Sequence, residues 1–476
     1  MGAIHFRVAR PDLLPSASEL SAVDSLMYDG RILPAQITLA GGKMTCVRDI
    51  SESGQLRIPW IQMDRKPSVV HSTSLREQSE AYDLELELAR GQLSRLRNQH
   101  AVWTFAGLQT SPELETLMSD AHHSFRSAAL RSDAPETAAA AAILSLDCSA
   151  RATNLLCQHY TDQRLAFRRS RSANLPVFFG CRLERIPQDP DSFCEVFNAI
   201  HVDTSWSRLE VRDGEYDFDD VSELVDWALE RRLFVLGGPL LDLSRDRFPH
   251  WLDAWSGDLR NLQTVAADYV ETVIRGFLGR IRHWEVVAGG NCGGAAELSE
   301  EQRMNLLARV VEAASHVDEQ IQISLRVAQP WGEYLSRTGN RLPPVQFIDT
   351  LRRCGVRFAE INLEISHLVD ASGQIIRRDD LSLSQLLDQW SLLQVPLNLI
   401  VKAPSAGAGT QIEKEAQSDW LRRVVQMALA KERVVGVYYD ASELAGKPPG
   451  LLDGPDTEAF SASAELRQLK ANYWDG

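Results

Sequence analysis

The chain has no C-x-x-C pair, no basic block and no apolar run long enough to span a bilayer, and each absence removes a class of function. Its seven cysteines, Cys46, Cys148, Cys157, Cys181, Cys194, Cys292 and Cys354, are scattered and odd in number. Neither a disulfide framework nor a zinc site follows from that spacing, and small buried hydrophobes are the expected role. A net charge of -15 without an Arg/Lys stripe excludes a nucleic-acid backbone or an anionic membrane as partner. No G-x-G-x-x-G follows the first strand of the α/β half and no G-x-x-x-x-G-K-[ST] occurs, so no nucleotide cofactor is expected, and no metal. The opening MGAIHFRVARPDLLP lacks an apolar segment ahead of a small-residue cleavage site, and a cytoplasmic address is the expectation. Nothing in the pattern fixes an oligomeric state.

What is present is an ordinary globular balance, 44% hydrophobic and 24% charged over 476 residues, enough for a barrel of about 250 to 300 residues plus a smaller domain. Residues 1–74 read as a small β domain, sandwich-like. In QLRIPW, Leu56, Ile58 and Trp60 alternate with other residues, and Gly41-Gly42 separates two strand-like runs as a hairpin turn. Residues 75–170 read as a helical connector. Tyr82, Leu86, Ala89, Leu93 and Leu96 share one helix face, and two more helices are expected at about 111–130 and, after a Ser-Asp-Ala-Pro start signal, up to about 168.

From residue 171 the pattern becomes β-branched apolar runs alternating with amphipathic helices. The runs are 175–180, 199–206, 233–241, 281–289, 320–327, 359–366, 396–403 and 434–440, with helices such as 259–278, 300–315 and 413–431 between them. Eight strands alternating with helices predict an α/β fold, a (β/α)8 TIM barrel over 171–476.

The ordered segments WSRLEVRDGEYDF (206–218), WEVVAG, GVRFAEINLEISH, LLQVPLNLIVKA, VVGVYY and GLLDG resemble the strands of glycoside hydrolase family 10, the β-1,4-xylanases, over about 175–470. Trp206, Glu210, Gly214, Tyr216 and Phe218 keep that family's spacing on its second strand. The resemblance implies retaining hydrolysis by two glutamates about 5 Å apart, one a proton donor and one a nucleophile. On the matched positions, however, the donor's Asn-Glu pair is Ala288-Gly289 and the nucleophile is Val401. Sugar-holding positions differ too: His201, Val202 and Ser205 stand before and beside Trp206, and Gly238 and Asp242 on the third strand.

Chemistry in such barrels sits at the strand ends, which here offer Asp203, Trp206, Asp242, Glu285, Asn291, Arg326, Trp331, Glu333, Glu364, His367, Lys402 and Asp440. Of these, Asp203, Trp206, Asn291, Arg326, Trp331, Glu333 and His367 are candidate substrate contacts. Glu364, Asp242 and Asp440 are the alternative catalytic carboxylates, should a relocated acid/base pair exist. Against that stands the reading that these acids pair with Arg326 and Lys402 as a structural plug. Glu285 is expected to be structural. Gly289 to Gly294 reads as a mobile loop rather than a phosphate cradle, because the Lys-Ser/Thr of such a cradle is missing, and Cys292 would need a neighbouring base such as His367 to act as a nucleophile. His122-His123 reads as a solvated helix face. The expected function is a family 10-like protein without xylanase activity that binds a carbohydrate or serves as an interaction module. A glycosidase using relocated carboxylates and a purely structural protein are the alternatives.

Overall fold

The computed structural model describes residues 2–14, 24–27, 32–63, 67–131, 134–172, 174–244, 247–255, 258–336, 338–366, 368–369, 375–402, 411–440 and 460–473. The chain divides into two compact units, residues 1–167 with 335–339 and 367–385, and residues 168–334 with 340–366 and 386–476.

The first unit holds two four-stranded sheets. One orders Gln36–Ala40, Lys43–Arg48, Gly2–Arg7 and Tyr82–Asp83, and the other Ile32–Pro34, Asp24–Leu26, Gly54–Ile61 and Pro67–Leu75. Gly41 and Gly42 take φ of 56° and 73°, the left-handed geometry of a tight hairpin turn, and they join two paired strands as the sequence expects. Leu56, Ile58 and Trp60 are buried, in one apolar core with Phe6, Met44, Leu84, Leu88 and Leu146. Alternation aims every second residue of a strand inward, so the two sheets and the helices share that core.

Three helices follow, Leu84–Phe105, Pro112–Ala129 and Pro135–Arg171. Ala89, Leu93 and Leu96 are buried as their spacing predicts, but Tyr82 belongs to the short strand ahead of the helix and Leu86 is only partly buried. Leu84 and Leu88 complete the buried face instead. Gly91 lets this helix approach strand Pro67–Leu75, because a Cβ there would lie 1.9 Å from the His71 carbonyl oxygen.

The second unit is built on a closed parallel barrel. Its eight strands are Phe178–Leu183, Ala199–Val202, Phe234–Gly237 continued by Leu241–Asp242, His283–Ala288, Gln322–Val327, Glu360–Ile365, Leu397–Lys402 and Val434–Asp440, called strands one to eight below. Each pairs in parallel with its sequence neighbours and strand eight closes on strand one, so the eightfold count read from the sequence is the observed fold. A helix follows every strand. Local signals start several of them: Ser299 and Gln302 form a reciprocal capping box ahead of Glu300–Val317, and Asp258 accepts from the Asn261 amide ahead of Leu259–Gly276. No helix among the described residues is long and apolar enough to cross a membrane.

Inward and outward faces of the barrel follow from alternation. Ala199, Leu236, Ile400 and Tyr438, from strands two, three, seven and eight, form one cluster, and only the interior brings those strands together. On strand seven the inward residues are therefore Asn398, Ile400 and Lys402, and Val401 between them points outward, fully buried.

Candidate functional site

Inside the barrel, seven of the eight strands contribute an inward charge, most of them at or just past the C-terminal end. Arg182 on strand one donates to Asp203, just past strand two, at 2.7 Å and to Asp440 on strand eight at 3.3 Å. Arg326 on strand five meets Glu285 of strand four at 2.6 Å and Glu364 of strand six at 3.9 Å. Lys402 on strand seven lies 3.2 Å from Glu364. Neighbouring strands thus carry opposite signs over much of the ring. Three cations face four carboxylates, a balance of -1.

Burial makes this pairing obligatory, since an unpaired charge in the barrel interior would cost several kcal/mol. Burial alone would raise the Asp203 carboxyl, but Arg182 overrides it and holds the group at about 2. Arg326 is depressed by burial and raised, on balance, by Glu285.

Below the ring runs a column of polar side chains. The Asn362 amide nitrogen donates to Glu285 at 2.6 Å and to the Ser324 hydroxyl at 3.0 Å. Asn398 donates to the Asn362 carbonyl at 2.9 Å and to Glu360 at 2.7 Å, and Glu360 meets His283 at 3.4 Å. His201 stands beside this column with its Nε2 3.9 Å from Glu285. It is fully buried, and neither ring nitrogen has a hydrogen-bond partner among the described residues. Burial pushes its imidazole down to about 4, aided by Arg326 and Arg182 and opposed by Glu285 and Asp440.

The loop after strand four is stapled, which corrects the expectation of a mobile segment. Asn291 donates to the Ala328 carbonyl at 2.7 Å and accepts from the Ala328 amide at 3.1 Å. Arg303 donates to the Gly290 carbonyl at 2.9 Å, and Asn340 to the Cys292 carbonyl at 3.1 Å. Gly289 takes φ of 67°, and a Cβ there would lie 3.0 Å from the Ser244 hydroxyl, so a side chain at this position is strained. Burial, with Glu364 and Glu333 nearby, pushes the Cys292 thiol far up, which removes it as a nucleophile.

The sequence candidates separate accordingly. Trp206 has no face open to a ligand. It is 1% exposed, donates to Glu210 at 2.7 Å, stacks on Tyr269 at 5.0 Å and is flanked by Trp251 and Phe248. Its expected sugar contact is corrected to a packing role, and Glu210 completes it by accepting from the Gly214 amide at 2.8 Å. Asn291 is engaged with Ala328, and Asp203 and Arg326 are buried ion-pair partners. Glu333 is buried, whereas Trp331 keeps part of its surface. Asp242, 16% exposed, accepts from the Ser244 amide at 3.0 Å and lies 4.0 Å from Arg247. His367 falls outside the described residues. A Cβ at Gly238 would lie 2.5 Å from the Glu285 carbonyl oxygen, so no side chain fits where the resemblance expects a histidine. Among the described residues no three His, Cys, Asp or Glu side chains gather as a metal site.

Three members of the ring and its column escaped the sequence reading. Arg182 lies beyond the expected end of strand one at residue 180, and Asn362 and Asn398 sit mid-strand, where only alternation marks them as inward.

Residues 184–291 match the model of Glycosyl hydrolase family 10. Endo-1,4-beta-xylanase B of Thermotoga neapolitana is 28% identical over 82 residues, which is 17% of this chain and 23% of that protein, so the match spans about a quarter of the relative. Native xylanase 10B from Thermotoga maritima aligns with a TM-score of 0.48 at 17% identity, covering 63% of this chain and 98% of that one. Xylanase 10B from Thermotoga petrophila RKU-1, in complex with xylobiose, gives 0.46 at 15%, covering 64% and 96%. Over residues 184–291 the chain is thus similar to glycosyl hydrolase family 10, on a (β/α)8 barrel.

Proposed function

We propose that this chain is a family 10 barrel that binds a carbohydrate at its mouth and does not hydrolyse xylan. The observation that carries the reading is the engagement of the strand-end carboxylates: Asp203 and Asp440 share Arg182, Glu285 holds Arg326, and Glu364 lies between Arg326 and Lys402. Retaining hydrolysis needs two carboxyl groups about 5 Å apart, one carrying a proton to the leaving sugar and one free to attack. Carboxylates committed to guanidinium and ammonium partners supply neither role readily.

Three further features support it. The inward residue at the tip of strand four is Ala288, paired in register with the inward Arg326. Its neighbour Gly289 sits where a side chain is strained. At the tip of strand seven the interior receives Lys402, because Val401 faces the other way. Trp331, partly exposed just past strand five, offers a ring face on which a sugar can stack.

The test is binding and turnover measured on one preparation. Xylo-oligosaccharides are expected to raise the melting temperature without releasing reducing ends, and a ligand at a hundred times its Kd stabilises by about 2.7 kcal/mol. Absence of any thermal shift across neutral oligosaccharides would contradict the binding half of the proposal, and turnover would contradict the other half.

A further inference from the structure

The first unit contains a cavity of about 410 Å³. Its apolar wall is formed by Val8, Leu86, Ala128, Ala129, Ala138 and Ala139. Two of the alanines end helix Pro112–Ala129 and two lie in the opening turns of helix Pro135–Arg171, and their methyl groups leave space that longer side chains would fill. The volume lies in the range of small-molecule sites, about 300 to 1,000 Å³. No aromatic side chain lines it among the described residues, so it lacks the platform on which a sugar ring stacks.

One wall of the cavity carries a buried acid. Glu85 lines it and is 2% exposed. Its Oε1 accepts from the Ala9 and Arg10 amides at 2.9 and 2.8 Å, and its Oε2 has no hydrogen bond to another described residue. Two amides and a place in the first turn of helix Leu84–Phe105 favour the ionised form. No cationic side chain among the described residues comes within 4 Å of the carboxylate. Arg7 instead donates twice to Asp83, and Arg10 twice to Asp12. Burial pushes the Glu85 carboxyl up and Asp83 adds to the rise, as expected of an anion left without a counter-charge.

We infer that this cavity binds a small aliphatic amine, with the ammonium on the Glu85 carboxylate and the alkyl chain along the alanine-lined wall. The ligand supplies the counter-charge that the fold withholds, and a charge-assisted hydrogen bond to a buried carboxylate is among the stronger polar contacts. Lys43 also lines the cavity, but it is exposed, and solvent screens its repulsion of an incoming cation. The site belongs to the first unit and does not rest on the carbohydrate reading of the barrel.

The experiment titrates n-hexylamine, 1-hexanol and hexanoate into the intact protein, followed by NMR. Hexylamine is expected to bind at least about tenfold more tightly than hexanol, the scale of one charge-assisted hydrogen bond, and hexanoate more weakly than either. Glu85→Gln keeps an oxygen for the Ala9 and Arg10 amides and is expected to remove the preference for the amine while leaving hexanol unchanged. Ala138→Leu, at a half-buried helical position where leucine is well tolerated, fills the cavity and is expected to abolish binding of both; it tests the site even if Glu85→Gln fails to fold. No binding of hexylamine, hexanol or hexanoate bound as tightly as the amine, an undiminished preference in Glu85→Gln, or binding that survives Ala138→Leu would overturn the inference.

Discussion

His201 gives the barrel an acid sensitivity that can be worked out before it is measured. The side chain is fully buried, has no hydrogen-bond partner among the described residues for either ring nitrogen, and faces the Tyr438 ring with centroids 6.0 Å apart. Its environment lowers the imidazole from 6.5 to about 4. The unfolded chain therefore takes up a proton near pH 6.5 that the folded barrel refuses until about pH 4. Stability from the neutral ring is complete above pH 6.5 and is lost progressively as pH falls toward 4. At roughly 1.4 kcal/mol per pH unit the loss amounts to about 3 kcal/mol. Asp203 does not confuse the window, because its own contribution is lost only between its ordinary value of 3.8 and about 2. Urea unfolding of the wild type and of His201→Leu, followed by circular dichroism from pH 7 to pH 4, isolates the effect. The stability difference between the two proteins is expected to move by about 3 kcal/mol in the variant's favour across that range. A difference that moves by less than about 1 kcal/mol would refute the reasoning.

Three other substitutions test the packing around the ring and in the N-terminal unit. Arg326→Leu leaves Glu285, 0% exposed, as an uncompensated buried charge and is expected to cost about 3 to 5 kcal/mol in thermal unfolding, with Glu285→Gln in the same chain recovering part of it; a double variant no more stable than the single one would contradict the pairing. Gly91→Ala pits a helix-propensity gain of about 1 kcal/mol against a Cβ placed 1.9 Å from the His71 carbonyl, and overpacking of about 1 to 3 kcal/mol is expected to win. A raised melting temperature for Gly91→Ala would show that the helix and strand can separate freely. Asn291→Ala removes both hydrogen bonds to Ala328 and is expected to destabilise by about 2 kcal/mol and to speed amide exchange in residues 289–294; unchanged exchange would mean that Arg303 and Asn340 hold the loop alone.

The barrel was legible in the sequence because its signal is local. Apolar alternation over 281–289 or 434–440, broken by amphipathic stretches, is enough to count strands, and the count of eight leaves few closed arrangements. The site was less legible because it depends on strand ends and faces. Reading strand one as ending at residue 180 rather than at Leu183 hid Arg182, the cation that binds two acids at once. The resemblance marked Val401, but a shift of one residue along a strand exchanges inside for outside, and the interior receives Lys402. Trp206 was misread for a different reason. Its partners Tyr269 and Trp251 come from segments far along the chain, and no pattern within 206–218 announces that they pack against the indole. The plug of ion pairs weighed from the sequence matches the observed partners of Glu364, which are Arg326 and Lys402, whereas Asp440 pairs with Arg182, a cation the sequence reading did not include.

The most direct measurement is turnover of β-1,4-xylan by the purified 476-residue chain, with released reducing ends counted against buffer alone. With its strand-end carboxylates bound to Arg182, Arg326 and Lys402, the protein is expected to release none above background. Turnover at about 1 per second or faster, the lower range of ordinary enzymes, would contradict the claim that this barrel holds sugar without cutting it.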